Sequence, residues 1–328
     1  MALLFLSLMT GGLGAWLIMK IGPKIGIIDI PNKRSSHACV VPKGGGIGIL
    51  TAFIICAFSF NLPVSFWMSC LTISLLSLWG DRHEIQPVIR LFIQFGCSLV
   101  FLMGLYLLNA PLLTIGFLSI PLSFFLTGTA NFYNFMDGID GIAGIAGVVG
   151  FSLLALFSWF EGDGGFGTYG LLCLNIALSC VGFLFFNLSR AKVFMGDGGS
   201  IFLGFLFSCM VILLSENFID FFIMVGFLFP FYFDELITMV VRLNMGESLL
   251  KPHRRHIYQL LANEMEIPHW QVSFCYGVIQ LIIGFSLIIL KPKGIYFILL
   301  SYLIYIFIFI FISIFIRKKV VLNQGNIQ

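Results

Sequence analysis

The sequence predicts an all-α integral membrane protein of about eleven transmembrane helices, with the N-terminus outside and the C-terminus cytoplasmic. Three observations lead there. Hydrophobic residues fill 59% of the 328 positions and charged residues only 10%, against about 25% charged in soluble domains. The apolar residues gather in runs near the roughly 20-residue length that crosses a bilayer. The charges fall almost wholly between those runs, and nearly all the basic ones share one side.

In chain order the runs cover 3–19, 45–62, 64–79, 88–108, 112–130, 142–160, 168–186, 201–215, 219–241, 271–290 and 294–316. The first lacks a basic segment before it and a small-residue cleavage site after it, and Lys20 and Lys24 follow it. It reads as an uncleaved span. Pro63 separates the second run from the third, Asp81 and Arg82 end the third, and Pro111 separates the fourth from the fifth. Glycines at 138, 141 and 144 mark the entry to the sixth, and "GDGGS" opens the eighth. If the runs alternate across the bilayer, Lys20, Lys24, Lys33, Arg34 and Lys43 share a side with Arg82, Arg90, Arg190 and Lys192. Arg242, Lys251, Arg254, Arg255 and Arg317 to Lys319 fall there too, and only Lys291 and Lys293 fall opposite, beside Glu161, Asp163, Glu216 and Asp220. The basic side is cytoplasmic by the positive-inside rule. The chain reads as one domain, 1–328, with cytoplasmic loops near 20–44, 80–90, 131–141, 187–200 and 242–270. Seven of the eight cysteines lie within the runs and none forms C-x-x-C, so they read as small packing residues.

The chemistry-bearing residues sit in those loops. In "DIPNKRSSHACVVPKGGGIG" (29–48), Lys33, Arg34, His37 and Lys43 are candidate phosphate contacts, and the glycines permit close backbone approach. A basic loop serving only topology is the alternative. In "WGDRHEIQPVIRLFIQ" (79–94), Arg90 and Gln94 share one helix face, and Arg82 and Arg90 could hold a lipid phosphate at headgroup depth or merely snorkel to it. In "NFYNFMDGIDGIAG" (131–144), Asn131, Asn134, Asp137 and Asp140 recur every third residue and would project from nearly one side of a helix. Two carboxylates at a span mouth are costly and point to function, with capping of the next helix as the alternative. "GDGGS" sets Asp197 at a helix start suited to an anion or a metal, without a Walker pattern. In "KPHRRHIYQLLANEMEIPHW" (251–270), His253, Arg254, Arg255 and His256 suit a diphosphate better than zinc, and "IYQLLANEM" reads as a short amphipathic helix on the membrane surface; the place of His269 is left open. Carboxylates with cations at headgroup depth imply Mg²⁺, with Mn²⁺ as a substitute, acting on phosphates.

These motifs, in order and spacing over nearly the whole chain, resemble the polyprenyl-phosphate N-acetylhexosamine-1-phosphate transferases, the MraY/WecA superfamily of glycosyltransferase family 4. "RSSH…PKGGG" and "HRRHIYQ" look most like its O-antigen-initiating branch. The resemblance implies ten or eleven spans in the bacterial inner membrane and an active site facing the cytosol. It implies transfer of a sugar-1-phosphate from a UDP-linked amino sugar to undecaprenyl phosphate, with UMP released. It implies Asp197 and Asn134 at the metal, and Asp137 and Asp140 at the uridine, diphosphate or metal. Asn187 matches a nucleotide-contacting asparagine, and His253, Arg254 and His256 match a diphosphate-holding loop. Lys43, Arg82, Arg90 and Asn131 complete the expected substrate contacts, and Asp81 the catalytic acids. Where relatives carry two adjacent aspartates, this chain has Gly80 and Asp81. A homodimer is compatible with this reading, and no nucleic acid polymer is expected as a partner. The competing readings are a phospho-N-acetylmuramoyl-pentapeptide transferase, a membrane transporter, and an inactive paralogue prompted by Gly80.

Overall fold

Each of the eleven apolar runs meets a helix. The computed structural model describes residues 1–31, 36–37, 39–83, 85–106, 112–162, 164–248 and 253–325. Lys33, Arg34, Asp163 and Lys251 lie outside the described residues. The helices are α1 (Ala2–Ile21), α2 (Ile47–Ser59), α3 (Val64–Gly80), α4 (Pro87–Tyr106), α5 (Leu112–Phe135), α6 (Ile142–Glu161) and α7 (Thr168–Asn187). They continue with α8 (Asp197–Leu214), α9 (Phe218–Val225), α10 (Phe229–Asn244), the single turn α11 (Ile257–Gln259), α12 (His269–Leu290) and α13 (Ile295–Gly325). Among the described residues, eight helical stretches are long and apolar enough to cross a membrane, one of them α9 and α10 taken together; α2 and α3 are apolar but shorter. The chain is a multi-pass, α-helical membrane protein.

Two departures from the sequence expectation have local causes. The ninth run, expected as one helix, breaks into α9 and α10 through a tighter turn at Gly226–Leu228. Pro230 follows at the start of α10, where its missing N–H costs no helix bond. The 131–144 segment does not continue as a helix either. Helix α5 stops at Phe135, so Asn131 and Asn134 are helical while Asp137 and Asp140 lie in the loop beyond.

Helix α8 forms the centre. Every residue from Gly198 to Val211 is buried, which lets glycine, serine and phenylalanine meet neighbours on all sides. It packs against α3 and α5, while α1 lies on α7, α7 on α6, and α12 on α6. A two-stranded antiparallel pair, β1 (Ile28–Asp29) and β2 (Val41–Pro42), closes the first loop. At the opposite ends of the helices, Lys291 Nζ lies 2.6 Å from Glu161 Oε2 and 2.7 Å from Asp220 Oδ1. One of the two lysines expected on the acidic side therefore joins the acids expected beside it.

Candidate active site

The site is assembled by backbone lacing. Phe194 N–H donates to Pro42 O at 2.8 Å, Gly45 N–H to Phe194 O at 2.9 Å, and Gly46 N–H to Met195 O at 3.0 Å. This pins the loop after β2 to the segment entering α8. Gly196 takes a φ of 75°, and a Cβ there would stand 2.8 Å from Asp81 Oδ2 and 2.7 Å from Gly44 N. Any larger residue at 196 would be strained in its backbone and would push Asp81 away.

The result is a cavity of about 260 Å³ whose walls include Asp81, Asn134, Asp137, Asp140, Asn187 and Asp197, with Lys43, the residue just after β2, reaching in. Asp81, just past the end of α3, is nearly buried; Lys43 Nζ lies 3.4 Å from its Oδ1. The amides of Asp197 and Gly198, at the start of α8, approach it at 3.4 and 3.5 Å. Burial pushes the Asp81 carboxyl up to about 6, the Asp197 charge adds to the rise, and Lys43 opposes it. Asp197 accepts from Arg90 Nη1 at 2.6 Å and from Asn134 Nδ2 at 3.0 Å. Asp137 donates its backbone N–H to Asn134 O at 3.1 Å, while its carboxylate has no hydrogen-bond partner among the described residues. Burial pushes it up to about 8, and the charges of Asp197, Asp81 and Asp140 add to the shift.

The other wall is a scaffold. Asn187, at the end of α7, accepts from Gly141 N–H at 2.9 Å and donates to Val193 O at 2.9 Å. Asp140 accepts from Ala191 N–H at 3.2 Å, while its carbonyl takes a hydrogen bond from Ser273 at 2.8 Å. The capping alternative for Asp137 and Asp140 does not hold: the residue capping α6 is Gly141, without a side-chain bond.

Not every sequence candidate reaches the cavity. Asn131 turns into the core, donating to Gln94 Oε1 at 2.6 Å. The expected sharing of one face by Arg90 and Gln94 therefore divides between cavity and core. Arg82 is exposed. His253, Arg254 and His256 do not line the cavity. His256 is buried under α10, with Nε2 3.4 Å from Glu235 Oε2, and Ile257, Tyr258 and Leu260 are buried beyond it rather than lying on a membrane surface. Burial pushes His256 down to about 3 and His253 down to about 4, with neighbouring cations, and for His253 also His256, adding to the depression. Neither imidazole is a cation at neutral pH. Conversely, the cavity wall contains Gln259, His269 and Phe194, none of them singled out as site residues from sequence. His37 edges onto Phe194 at 4.9 Å between ring centroids. For His269 the available signal was its place directly after Pro268, at the entry to a span.

The profile of Glycosyl transferase family 4 matches residues 63–215. That stretch carries Asp81, Arg90, Asn134, Asp137, Asp140, Asn187 and Asp197. The chain is similar to the probable undecaprenyl-phosphate N-acetylglucosaminyl 1-phosphate transferase of Bacillus subtilis (strain 168), 26% identical over 306 residues, covering 88% of this chain and 84% of that protein. It is also similar to the undecaprenyl-phosphate alpha-N-acetylglucosaminyl 1-phosphate transferase of Thermotoga maritima, 26% identical over 286 residues, or 84% and 85% of the two chains. A shorter match, 35% identical over 127 residues, is to the phospho-N-acetylmuramoyl-pentapeptide-transferase of Staphylococcus saprophyticus and covers 37% of this chain and 39% of that one.

Proposed function

We propose that the chain is a sugar-phosphate transferase of the glycosyl transferase family 4 type, whose profile matches residues 63–215, and that it moves an N-acetylated hexosamine-1-phosphate from a UDP-sugar to undecaprenyl phosphate. The products are undecaprenyl diphosphate-sugar and UMP, and the reaction starts a cell-surface polysaccharide of the O-antigen type. The observation that carries this reading is the convergence of four aspartates from three separate segments, with Lys43, in one cavity at one end of the helices, with Arg90 paired to Asp197 at its edge. A transporter would place such groups near the midplane. The length of the matches to N-acetylglucosaminyl transferases favours that substrate class over the muramoyl-pentapeptide one.

In the proposed reaction an oxygen of the acceptor phosphate attacks the sugar-bearing phosphorus. The bond to the bridging oxygen breaks, and UMP leaves with that oxygen. The acceptor needs no general base where it is already dianionic, so Asp81 orients it rather than deprotonates it, and Lys43 draws the phosphate toward Asp81. A route through an aspartyl-phosphate is the competing course. The donor set fits Mg²⁺: hard carboxylate oxygens crowd closely enough to repel one another, and Mg²⁺ takes one or two carboxylates together with substrate phosphates and water. Asp197 and the Asn134 carbonyl would hold it, with Asp137 beside them. When bound, the ion would neutralise charge on the transferring phosphoryl group. Arg90, tied to Asp197, holds that carboxylate in place, and Asp140 and Asn187 fix the loop carrying Asp137. The His253, Arg254 and His256 loop is assigned to the diphosphate by its resemblance to the family's loop alone, and His256 roots it against Glu235 of α10. We also assign eleven crossings, an outer N-terminus and a cytosol-facing site in the inner membrane, which the basic loop residues support.

The test uses membranes containing the chain, undecaprenyl phosphate and a panel of UDP-sugars. UMP release that requires Mg²⁺ is expected with an N-acetylated amino sugar. No UMP from any member of the panel overturns the reading.

A further inference from the structure

At the cavity wall, Asp140 Oδ2 and both ends of the Asn187 amide are already tied to backbone. His269, which begins α12 on the same wall, differs from both. Its Nδ1 accepts from the Asp140 backbone N–H at 3.4 Å. Nδ1 also lies 3.5 Å from Asp140 Oδ2, an oxygen that already accepts from Ala191 N–H; with the amide N–H aimed at Nδ1, we assign the lone pair to Nδ1 and the ring hydrogen to Nε2. Among the described residues Nε2–H has no hydrogen-bond partner, although the ring lines the cavity and is only 22% exposed. Ser273, one turn along α12, donates to the Asp140 carbonyl at 2.8 Å. The first turn of α12 thus grips both backbone groups of Asp140 and fixes the direction of the imidazole.

We infer that His269 is a donor-binding residue: its Nε2–H donates to an acceptor oxygen of the uridine monophosphate part of the substrate, while its Nδ1 braces the Asp140 loop. The inference rests on the proposed function, because it needs a nucleotide in this cavity. The chemistry it reads is that of an anionic or carbonyl oxygen, supplied by the phosphate or by the nucleoside.

The experiment measures UMP and uridine binding to the full chain in detergent, so that it does not depend on turnover or on the identity of the sugar. His269→Asn keeps an acceptor near the Nδ1 position and removes the Nε2–H. His269→Gln keeps an amide N–H near the Nε2 position. Loss of one hydrogen bond to a charged or strongly polar oxygen should weaken UMP binding about tenfold in His269→Asn, with His269→Gln within about threefold of the unsubstituted chain. Both variants should unfold at the temperature of the unsubstituted chain, which separates a lost contact from a lost fold. A loss seen for UMP but not for uridine assigns the contact to the phosphate, and an equal loss for both assigns it to the nucleoside; either supports the inference. UMP binding unchanged in His269→Asn, or weakened as much in His269→Gln, overturns it. If the unsubstituted chain binds no UMP, the nucleotide-site reading itself fails. That outcome is distinct from one in which UMP binds and His269 makes no difference.

Discussion

Asp197 is held by two donors of different kinds, a guanidinium at 2.6 Å and a side-chain amide at 3.0 Å, yet stays over a third exposed to the cavity. Its position is therefore fixed before any ligand arrives. Asp197→Asn keeps the size and loses the charge. UMP release should fall on the order of a hundredfold or more, with membrane insertion unchanged. Turnover like that of the unsubstituted chain would remove Asp197 from the metal. Gly80 is the converse case, an acid missing beside a site. A Cβ at position 80 would meet Ile85 at 3.5 Å, an ordinary contact, so Gly80→Asp is sterically tolerated and its effect is electrostatic. The Asp81 carboxyl already stands at about 6 through burial and the charge of Asp197. A second acid next to it should raise it further and repel the acceptor phosphate, so UMP release should drop several-fold. A measured rate increase would instead mean that the site lacks a carboxylate it can use.

The elements are coupled through Asp234 of α10, which is fully buried. Its carboxylate accepts from Ile257 N–H at 2.7 Å, Tyr258 N–H at 3.2 Å and the Tyr276 hydroxyl at 2.7 Å. Tyr258 in turn donates to Phe135 O, at the end of α5, at 3.0 Å. The chain of contacts runs from α10 through α11 to the loop bearing Asp137. Asp234→Asn replaces one acceptor oxygen by an N–H₂ that faces donors. It should cost about 1–3 kcal/mol of stability, visible as a lower unfolding temperature in detergent, and should depress UMP release although Asp234 lies outside the cavity. An unfolding temperature and a rate both unchanged would refute the coupling. This link was not legible in the sequence, because Asp234 sits within an apolar run and its partners lie 23, 24 and 42 residues away. What was legible was what hydropathy and loop composition dictate: the apolar runs, the glycine-rich entry to α8, and the aspartates at span mouths. The three-residue spacing misled where it assumed a helix, because α5 ends at Phe135 and the glycines beyond it favour a loop. The charge count of "HRRH" likewise said nothing of His256 being buried against Glu235. Pairs such as Arg90 with Asp197, 107 residues apart, exist only once the helices pack.

At the scale of the whole molecule, polar chemistry is segregated to the two ends of the bundle. At one end Asp81, Asp137, Asp140 and Asp197 share a cavity with Lys43, and Arg90 pairs with Asp197 at its edge. At the other, Lys291 joins Glu161 and Asp220, tying the ends of α6, α9 and α12. Between them the helices are mostly apolar, broken by hydrogen-bonded neutral side chains such as Ser7 with Asn175, and α8 is buried along almost its whole length. Basic residues outnumber acidic ones in the loops at the cavity end, and translocation of such loops is disfavoured, so that end should face the cytoplasm. A reporter fused after residue 255 should therefore read as cytoplasmic, and one fused near residue 164, in the α6–α7 turn beside Glu161, should read as external. An odd number of crossings lies between the two positions: α7, α8 and the joined α9–α10. Opposite readouts thus test the parity of the span count as well as the orientation. Both reporters on one side would break the eleven-crossing arrangement, because the Lys291 cluster and the aspartate cavity would then share a face. Opposite readouts in the reverse sense would keep the parity and place the cavity outside, away from a cytosolic supply of UDP-sugar, and the proposed reaction would fail with the orientation.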